Sequence, residues 1–592
     1  MIFLTLTLLA EPAGFTTPRK PYFPVMQLSN GTIQVLFSFA ILAMISACGE
    51  RDTDQIKQTS LEKLVLENDK SLQTYLSRQN LDRGDINHGG FPNADGIYNP
   101  GSAAAILQRM TAAYLSEGSS FNKETDLISR MELAMDFLMT RQHEDGTIDL
   151  LTTNFHSTPD LAFAIEPAAL SFKLLEQQNL AESKQLRQKL QRFLLLGGEA
   201  LTVGGIHTPN HRWVVCMALA RLYELFPDER YVNRINTWLN EGIDIDPDGQ
   251  YTERSTAVYS PLTNRCLVTI ARILNREELY EPVRKNLEMS IYYIHPNWEV
   301  VTEASRRQDQ YRAQTPHAYY YPYRYMSLHD NNALFGAMVN GLEESIEPSR
   351  LSGNLIYLLE DTALQNEVPA KTLPTIYEKH FLHSDLVRIR QEETDATVLG
   401  KNAALFTMHK EDAVLQAVRL ASAFFGKGQF RADTLYFSGD TIRLLQELEG
   451  PYYQPYPVDS LPDDGDWEKM PRENRPQSEI QYLTTNVDIV REGSSFLLHF
   501  KIAGTDNVPV ALELAFRKGG KLNGVSPKPA EDDSFFLTES EASYAIGRSS
   551  ITFGPGLQAH QWTQLRGADA KLDALSVYLT GYTPFVHTLR LK

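Results

Sequence analysis

Residues 208–226 read TPNHRWVVCMALARLYELF, a polar start followed by a mainly apolar stretch. Apolar residues recur there at steps of three and four, the spacing of one face of an α-helix, at Val215, Leu219, Leu222 and Phe226. The same spacing continues from about residue 61 to residue 364, without a long valine and isoleucine alternation. We predict that this whole region is helical.

Short loops interrupt the helical pattern at intervals of about 45 to 60 residues, the length of one helical hairpin. The loops lie at 144–148, 203–206, 247–251 and 296–300. A single hairpin cannot bury its apolar face alone, so stacked hairpins forming a solenoid or closed toroid are expected. A polar stretch bearing His or Tyr follows each loop, and functional residues are expected at these inner helix starts.

The pattern changes after about residue 384 to short alternating or apolar runs, such as 386–389, 404–408, 496–500, 510–514 and 576–579. With intervening Gly, Asp and Asn turns, these runs predict an antiparallel β-sandwich. We therefore divide the chain into a signal segment at 1–48, a helical domain at 49–370 and a β-sandwich region at 371–592. An acidic, proline-rich loop is expected at 451–476.

Composition excludes several classes of protein. The 592 residues are 42% hydrophobic and 22% charged, as in ordinary globular proteins, and the net charge is −18. Such a charge argues against broad affinity for nucleic acids or anionic membranes, so a polyanionic ligand needs a local basic cleft. Three cysteines are too few for a disulfide framework or a cysteine-based zinc module. Cys216 and Cys266 lie in apolar helical stretches and are expected to be buried free thiols.

Cys48 closes an apolar run at 35–44 and follows the small residues Ser46 and Ala47. This pattern resembles a bacterial lipoprotein signal, in which the cysteine is lipidated after cleavage, and Arg19 with Lys20 supplies the positive start. An ordinary signal peptide or a short anchor is the alternative. We expect a lipid-anchored protein of the bacterial cell envelope, facing the periplasm or the exterior, with translation beginning at Met1 or Met26.

Two polar segments, 208–213 and 248–261, precede predicted inner helices. Taken alone, Asn210 is explained as a helix N-cap, and Ser260 as an N-cap followed by proline in the first turn. Together the segments place Asn210, His211 and Tyr259 at the N-termini of two helices. Backbone N–H groups and the helix dipole favour an anion at such positions.

These residues resemble a family of known enzymes. The Asn210-His211 step and the Asp-Gly…Glu-Arg…Tyr-Ser pattern ending at Tyr259 and Ser260 are similar to heparinase II/III-like and oligoalginate lyases. The resemblance implies an α+β multidomain fold, with an N-terminal incomplete (α/α) toroid followed by an antiparallel β-sandwich. It also implies cleavage of a uronic-acid-containing polysaccharide by β-elimination. The His-Gly-His-x-Asp segment that often accompanies a metal in this family is not found, so no cofactor or metal is predicted.

The implied chemistry explains the choice of residues. Removing the C5 proton of a uronic acid leaves an enolate-like intermediate, so Asn210 and a protonated or donating His211 are expected to hold the carboxylate. Tyr259 is expected to be the general acid and base, and needs nearby cations or helix N-termini to lose its proton. Further substrate-binding candidates come from the same or equivalent loops, namely Arg212, Tyr251, Arg254, His156, Arg307, Tyr311 and His317.

Several of these candidates have structural alternatives. Tyr251 competes with Tyr259 as the base but is also explained as a packed loop aromatic. His156 lies in the corresponding loop one repeat earlier and is equally explained by a capped helix start. The aromatic run 311–325, which contains Tyr311 and His317, suits sugar stacking or an interdomain seam.

Two other functions remain open from sequence. An (α/α) glycoside hydrolase needs two carboxylates, for which Glu253, Glu303 and Asp309 are available with Asp145 or Asp160 opposite. A noncatalytic glycan-binding surface lipoprotein would use the aromatic run for affinity alone. Elimination leaves an ultraviolet-absorbing double bond, hydrolysis does not, and a binding protein shows no turnover.

Overall fold

The computed structural model describes residues 60–592, and Cys48 with the rest of the predicted signal segment lies outside them. The first part of the described chain is built from helices. Their bounds are α1 Ser60–Arg78, α2 Pro100–Leu115, α3 Thr125–Arg141, α4 Thr158–Gln178, α5 Lys184–Val203, α6 Pro209–Leu225, α7 Glu229–Leu239, α8 Tyr259–Leu274, α9 Tyr280–Ile291, α10 Tyr320–His329, α11 Ala333–Ser345, α12 Pro348–Leu351 and α13 Leu355–Glu360.

The helices form two concentric layers. Helices α2, α4, α6, α8 and α10 pack side by side in chain order, and each also packs against the helix that follows it. The terminal helices pack against the first ones, because α12 contacts α1 and α13 contacts both α1 and α2. Inner helices such as α4 and α6 are buried on most sides, as expected for the central layer of a toroid.

Glycines shape the loops between successive hairpins. Gly146 and Gly249 have positive φ angles of 86° and 99°, which glycine adopts without strain. A Cβ atom at Gly249 would lie 2.7 Å from the Lys285 carbonyl oxygen, and one at Gly146 would lie 2.3 Å from that of Leu196. These two loops therefore press against the outer helices, which directs the following polar stretch toward the inner layer.

The remaining chain forms two large sheets. One sheet has the strand order β13-β16-β17-β19-β11-β10-β9-β8, and the other has the order β14-β15-β18-β12-β7-β6-β5-β4-β3. Their bounds, after the short hairpin β1 Ile148–Leu150 and β2 Asn154–Ser157, are β3 Ile376–Phe381, β4 Leu386–Gln391, β5 Thr394–Leu399, β6 Phe406–Lys410, β7 Ala413–Ser422, β8 Thr434–Ser438, β9 Thr441–Tyr453, β10 Gln477–Glu492, β11 Ser495–Gly504, β12 Pro509–Phe516, β13 Lys521–Asn523, β14 Ser526–Pro527, β15 Ser534–Phe536, β16 Ala542–Ile546, β17 Ser549–Gly554, β18 Leu575–Tyr582 and β19 Phe585–Leu591.

The two sheets pack face to face around an apolar core. Alternate residues of β10 are buried, at Leu483, Thr485, Val487 and Ile489, as a strand with one solvent face requires. All the neighbouring strands pair antiparallel, except that β15 runs parallel to β18. The predicted fold class, a helical toroid followed by an antiparallel β-sandwich, is confirmed with this single parallel pairing.

Strand β5 joins the sandwich to the helices. All six of its residues are buried, because Ala396 and Val398 face the sandwich core while Asp395 and Thr397 contact the helical half. Arg517 adds a two-pronged ion pair to Glu299, at 2.7 and 2.8 Å between nitrogen and oxygen. The helices and sheets thus share one continuous buried boundary.

The cysteines, the membrane-spanning potential and the proline-rich segment were also considered from the sequence. Cys216 and Cys266 are buried free thiols, as predicted. Within residues 60–592, no helix combines the length and apolar character needed to cross a bilayer. The predicted proline-rich loop at 451–476 begins too early, because residues 451–453 belong to β9 and only 454–476 connect β9 to β10.

Candidate functional site

Asn210 and His211 lie at the start of α6. Pro209 occupies the first helical position, where its missing N–H costs nothing, and the two polar residues follow in the first turn. The Asn210 side chain is 2% exposed, and its Nδ2 donates to Glu253 Oε2 at 2.7 Å and to Thr208 Oγ1 at 3.1 Å. Both amide hydrogens are therefore engaged.

Tyr259 is the first residue of α8, so its side chain lies at the N-terminal end of an inner helix. Its hydroxyl oxygen accepts a hydrogen bond of 2.8 Å from Gln308 Nε2. The Arg307 guanidinium carbon lies 5.4 Å from the centre of the Tyr259 ring. Tyr259 thus lies at a helix N-terminus with a cation over its ring.

Glu253 connects these groups. Its side chain is 7% exposed, and its two oxygens face Asn210 at 2.7 Å and Arg307 Nη2 at 3.9 Å. One carboxylate thus links the start of α6 to the loop after α9, and through Arg307 to Tyr259. From the sequence, Glu253 was expected only as a possible carboxylate for hydrolysis, although it lies inside the pattern that carries the family resemblance.

His211 is half-buried beside the same cluster. Its ring meets Phe163 and His207 edge to face, at centroid distances of 6.3 and 4.7 Å. Burial, followed by His207, lowers the pKa of His211 to about 4, with Arg307 acting in the same direction and Asp160 opposing. The imidazole is therefore neutral near pH 7, and of the two predicted roles only that of a neutral hydrogen-bond donor fits.

Three buried polar atoms of this cluster have no hydrogen-bond partner within residues 60–592. They are Asn210 Oδ1, His211 Nδ1 and Glu253 Oε1. Unpaired buried polar groups are costly, so these atoms are available to a polar ligand.

Arg212 and Tyr251 are engaged elsewhere. The Arg212 guanidinium binds Glu241 at 3.0 Å and Asp244 at 2.8 Å, and its side chain is 10% exposed. Tyr251 is buried and donates its hydroxyl to Asn264 Oδ1 at 2.8 Å. Burial raises the pKa of Tyr251 well above its usual value, so it is poorly suited to act as a base. The structure favours the packed-aromatic interpretation of this tyrosine.

His156 lies on the β1–β2 hairpin, one repeat before the cluster. Its Nδ1 is 2.8 Å from Asp145 Oδ2, and its ring stacks on His143 with centroids 3.9 Å apart. The backbone φ of His156 is 47°, a conformation held by its N–H donating to Asp149 Oδ1 at 2.8 Å. Since its side chain is 61% exposed, it remains accessible to a ligand.

Arg254 and Tyr311 line a cavity at the boundary between the helices and the sheets. Arg254 Nη2 donates to the His383 carbonyl oxygen at 2.8 Å, and the Tyr311 hydroxyl donates to Asn402 Oδ1 at 2.6 Å. Burial raises the pKa of Tyr311 to about 12.

His317 lines a second cavity, of about 400 Å³, together with Arg109, Arg265 and residues at the start of α8. The aromatic run that follows is mostly interior. Tyr319, Tyr320 and Tyr323 are each 1% exposed within the helical core, so this part of the run is neither a sugar platform nor an interdomain seam.

A buried group of His295, Asp395 and His409 has the composition of a metal site, with donor atoms within 4.8 Å of one another. The two imidazoles, however, stack face to face at 3.5 Å, and the Arg388 guanidinium binds the Asp395 carboxylate. Although burial alone would lower the pKa of His295, Asp395 and Glu303 raise it to about 9. In the described chain these residues form a buried ionic network, in which Asp395 pairs with both His295 and Arg388.

The carboxylates considered for hydrolysis are also accounted for. Glu303 accepts hydrogen bonds of 2.8 Å from both Thr397 and Thr407 within the buried network. Asp309 accepts from Ser305 Oγ at 2.9 Å and from the backbone of Ala257. Of the two acids expected opposite them, Asp145 pairs with His156, and Asp160 accepts hydrogen bonds from Asn154 and Ser157.

Solved structures share this architecture. Xanthan lyase from Paenibacillus aligns with a TM-score of 0.56 and 11% identity over 90% of this chain, which spans only 57% of that enzyme. Chondroitin AC lyase of Streptomyces coelicolor A3 gives 0.53 and 12%, covering 90% of this chain and 79% of the other. Heparinase III gives 0.51 and 14%, covering 91% and 83%. The chain therefore has the fold of these polysaccharide lyases.

The likeness lies in the fold, since sequence identity is low. No protein-family model and no curated protein matches the sequence. The particular activity and substrate must accordingly be argued from the site itself.

Proposed function

We propose that the protein is a polysaccharide lyase that cleaves a uronic-acid-containing polysaccharide by β-elimination. The observation that carries the proposal is that Arg307 connects the candidate residues. It faces the Glu253 carboxylate that binds Asn210, lies over the Tyr259 ring and acts on the pKa of His211. The shared fold supports it, because the solved structures with this architecture include enzymes named for xanthan, chondroitin and heparin cleavage.

In the proposed reaction, Tyr259 first loses its hydroxyl proton to solvent. Its phenolate oxygen then takes the C5 proton of the uronate, and a C4–C5 double bond forms. The bond from C4 to the glycosidic oxygen then breaks, and that oxygen receives a proton from Tyr259 or another hydroxyl. Gln308 donates to the Tyr259 oxygen at 2.8 Å, which leaves the hydroxyl hydrogen free to move.

Negative charge grows on the uronate carboxylate during proton removal, so donors are needed there. Arg307 is a fixed cation, and neutral His211 can donate one hydrogen bond. Asn210 must exchange its longer contact to Thr208 before it can donate to substrate, since both its amide hydrogens are in use. Asn210 therefore donates to the uronate carboxylate only after substrate has bound.

The test is a screen of alginate, glycosaminoglycans and ulvan-like polymers, read by ultraviolet absorbance. Elimination gives an unsaturated uronate that absorbs, and the expected result is a steady rise with at least one polymer. New reducing ends without absorbance would identify a hydrolase, and the absence of any turnover would contradict the proposal.

Glu253→Gln is expected to lower kcat/KM about 10-fold, equivalent to about 1.4 kcal/mol of transition-state stabilisation. The amide keeps an oxygen for Asn210 but loses the charge that holds Arg307 near Tyr259. Steady-state kinetics measure the effect. Glu241→Gln is the matched control, because Glu241 pairs with Arg212 and does not contact Asn210. Equal kinetics in both variants would remove Glu253 from the site.

We also propose that the protein is lipid-anchored in the bacterial cell envelope through Cys48. The motivation is the apolar run ending in Ser46-Ala47-Cys48-Gly49. Cys48→Ser is expected to abolish lipid labelling and release the protein into the soluble fraction, as measured by metabolic labelling and fractionation. Labelling that persists in this variant would refute the anchor.

A further inference from the structure

The cavity at the boundary between helices and sheets is strongly basic. It has a volume of about 230 Å³, and four cations line it, Arg254, Arg306, Lys401 and Arg431, with Asp569 as the single acidic group in its wall. Arg254 and Arg306 come from the helical half, whereas Lys401 and Arg431 come from loops of the sandwich. Both halves of the molecule thus contribute charge to one cavity.

Three of the four cations have an acidic partner. The nearest nitrogen and oxygen atoms are 2.6 Å apart for Arg431 and Asp569, 2.9 Å for Lys401 and Asp385, and 3.8 Å for Arg254 and Asp246. Arg306 has no ion pair within residues 60–592. Burial and the neighbouring charge of Arg254 lower the pKa of Arg306, while Asp385 acts in the opposite direction.

The cavity adjoins the cluster around Tyr259. The Arg306 backbone N–H donates to the Arg254 carbonyl oxygen at 2.7 Å, which fixes the two arginines side by side. The next residue, Arg307, lies over the Tyr259 ring and beside Glu253. Two consecutive arginines of one loop therefore lie in adjacent places. Arg307 lies beside Tyr259 and Glu253, and Arg306 lines the neighbouring cavity.

We propose that this cavity binds an anionic substituent of the polysaccharide, on a sugar beside the linkage that is cleaved. The proposal rests on the proposed function and deepens it. The ligand is an oxyanion, either a uronate carboxylate or an ester sulfate, and Arg306 is its principal partner. Guanidinium groups bind both kinds of oxyanion with paired hydrogen bonds. The protein thereby selects polymers that carry charge on more than the reacting sugar.

Direct binding measurements test the proposal. Tyr259→Phe serves as the background that stops turnover, and titration calorimetry gives Kd for three oligosaccharides. These are alginate, which carries carboxylates only, chondroitin sulfate, and chemically desulfated chondroitin. Arg306→Gln is compared with Arg312→Gln, an exposed arginine of the same loop that does not line the cavity.

Arg306→Gln is expected to raise Kd about 10-fold for the best ligand, and Arg312→Gln less than about 2-fold, because only the first removes a direct charge-assisted contact. A loss on alginate and desulfated chondroitin identifies a carboxylate, and a loss confined to chondroitin sulfate identifies a sulfate. Unchanged affinity in Arg306→Gln, equal losses in both variants, or no binding of any oligosaccharide would overturn the proposal.

The elimination assay separates this proposal from the proposed function. A protein with Tyr259 intact that eliminates normally, but binds independently of Arg306, refutes the anion site alone. A protein that shows no elimination, yet loses affinity in Arg306→Gln, refutes the lyase and keeps the site.

Discussion

Replacing Tyr259 by Phe is expected to lower kcat by about 10²–10⁴-fold, the usual contribution of a positioned proton-transfer group. Only the hydroxyl is lost, and the ring stays under Arg307 at the start of α8. The hydroxyl accepts one hydrogen bond from an exposed glutamine, so the melting temperature should change little. The measurement is the rate of ultraviolet absorbance increase at saturating polymer.

Tyr251→Phe is the matched control for this experiment. It removes the same atom from a tyrosine eight residues earlier in the chain. The Tyr251 hydroxyl, however, binds buried Asn264 and not the residues around Tyr259. We expect a stability loss of about 1 kcal/mol, as for one buried hydrogen bond, and a normal rate per folded molecule. An inactive Tyr251→Phe beside an active Tyr259→Phe would show that the general base has been assigned to the wrong tyrosine.

Replacing His211 by Ala is expected to lower kcat by about 10²–10³-fold, the cost of losing one donor to developing negative charge. The Nδ1 atom of His211 has no hydrogen-bond partner in the described chain, so truncation breaks no side-chain hydrogen bond at that atom. Activity and thermal unfolding should be measured on one preparation. Strong destabilisation with a normal rate per folded molecule would place His211 in packing against Phe163 and His207.

The pH dependence of stability offers a second check on His211. Its pKa is lowered from 6.5 to about 4 in the folded protein. Between these pH values the unfolded chain binds a proton at His211 that the folded chain does not bind. His211 therefore leaves stability unaffected above about pH 6.5 and diminishes it as the pH falls toward about 4. His211→Ala should lose less stability than the wild type over this interval, as chemical denaturation at several pH values would show.

The sequence predicted local features well. Pro209 with Asn210 indicated a helix start, and the spacing of apolar residues indicated the helix that follows, because both depend on a few consecutive residues. Tyr259 was likewise expected at a helix N-terminus, where it lies. The family resemblance then supplied the toroid and sandwich that the structure describes.

The contacts that assemble the site could not be predicted in this way. Glu253 follows its partner Asn210 by 43 positions, and Gln308 follows its partner Tyr259 by 49. Nothing in the spacing of these residues indicates such pairings, which depend on how the hairpins stack. Arg212 was also wrongly expected to be free for substrate, because it follows His211 in the chain. Its guanidinium instead forms ion pairs with Glu241 and Asp244.

Strand β5 shows a third limit. Its alternation of polar Asp395 and Thr397 with apolar Ala396 and Val398 is typical of a strand with one wet face. The structure buries both faces, because the helical half covers the polar one. Alternating polar and apolar residues show which face of a strand is polar. They do not show that the helical half of the molecule covers that face and supplies its hydrogen-bond partners.

The ionic network on that covered face also bears on how substrate can enter. Asp395 and Arg388 have fully buried side chains, His295 is 2% exposed, and their partners come from both halves of the molecule. Separating the helical half from the sandwich would leave buried charges without their partners, at a cost of several kcal/mol for each unpaired ion. A hinge that opens and shuts on every catalytic cycle is therefore disfavoured. We expect the boundary between the helices and the sheets to stay closed when a ligand binds.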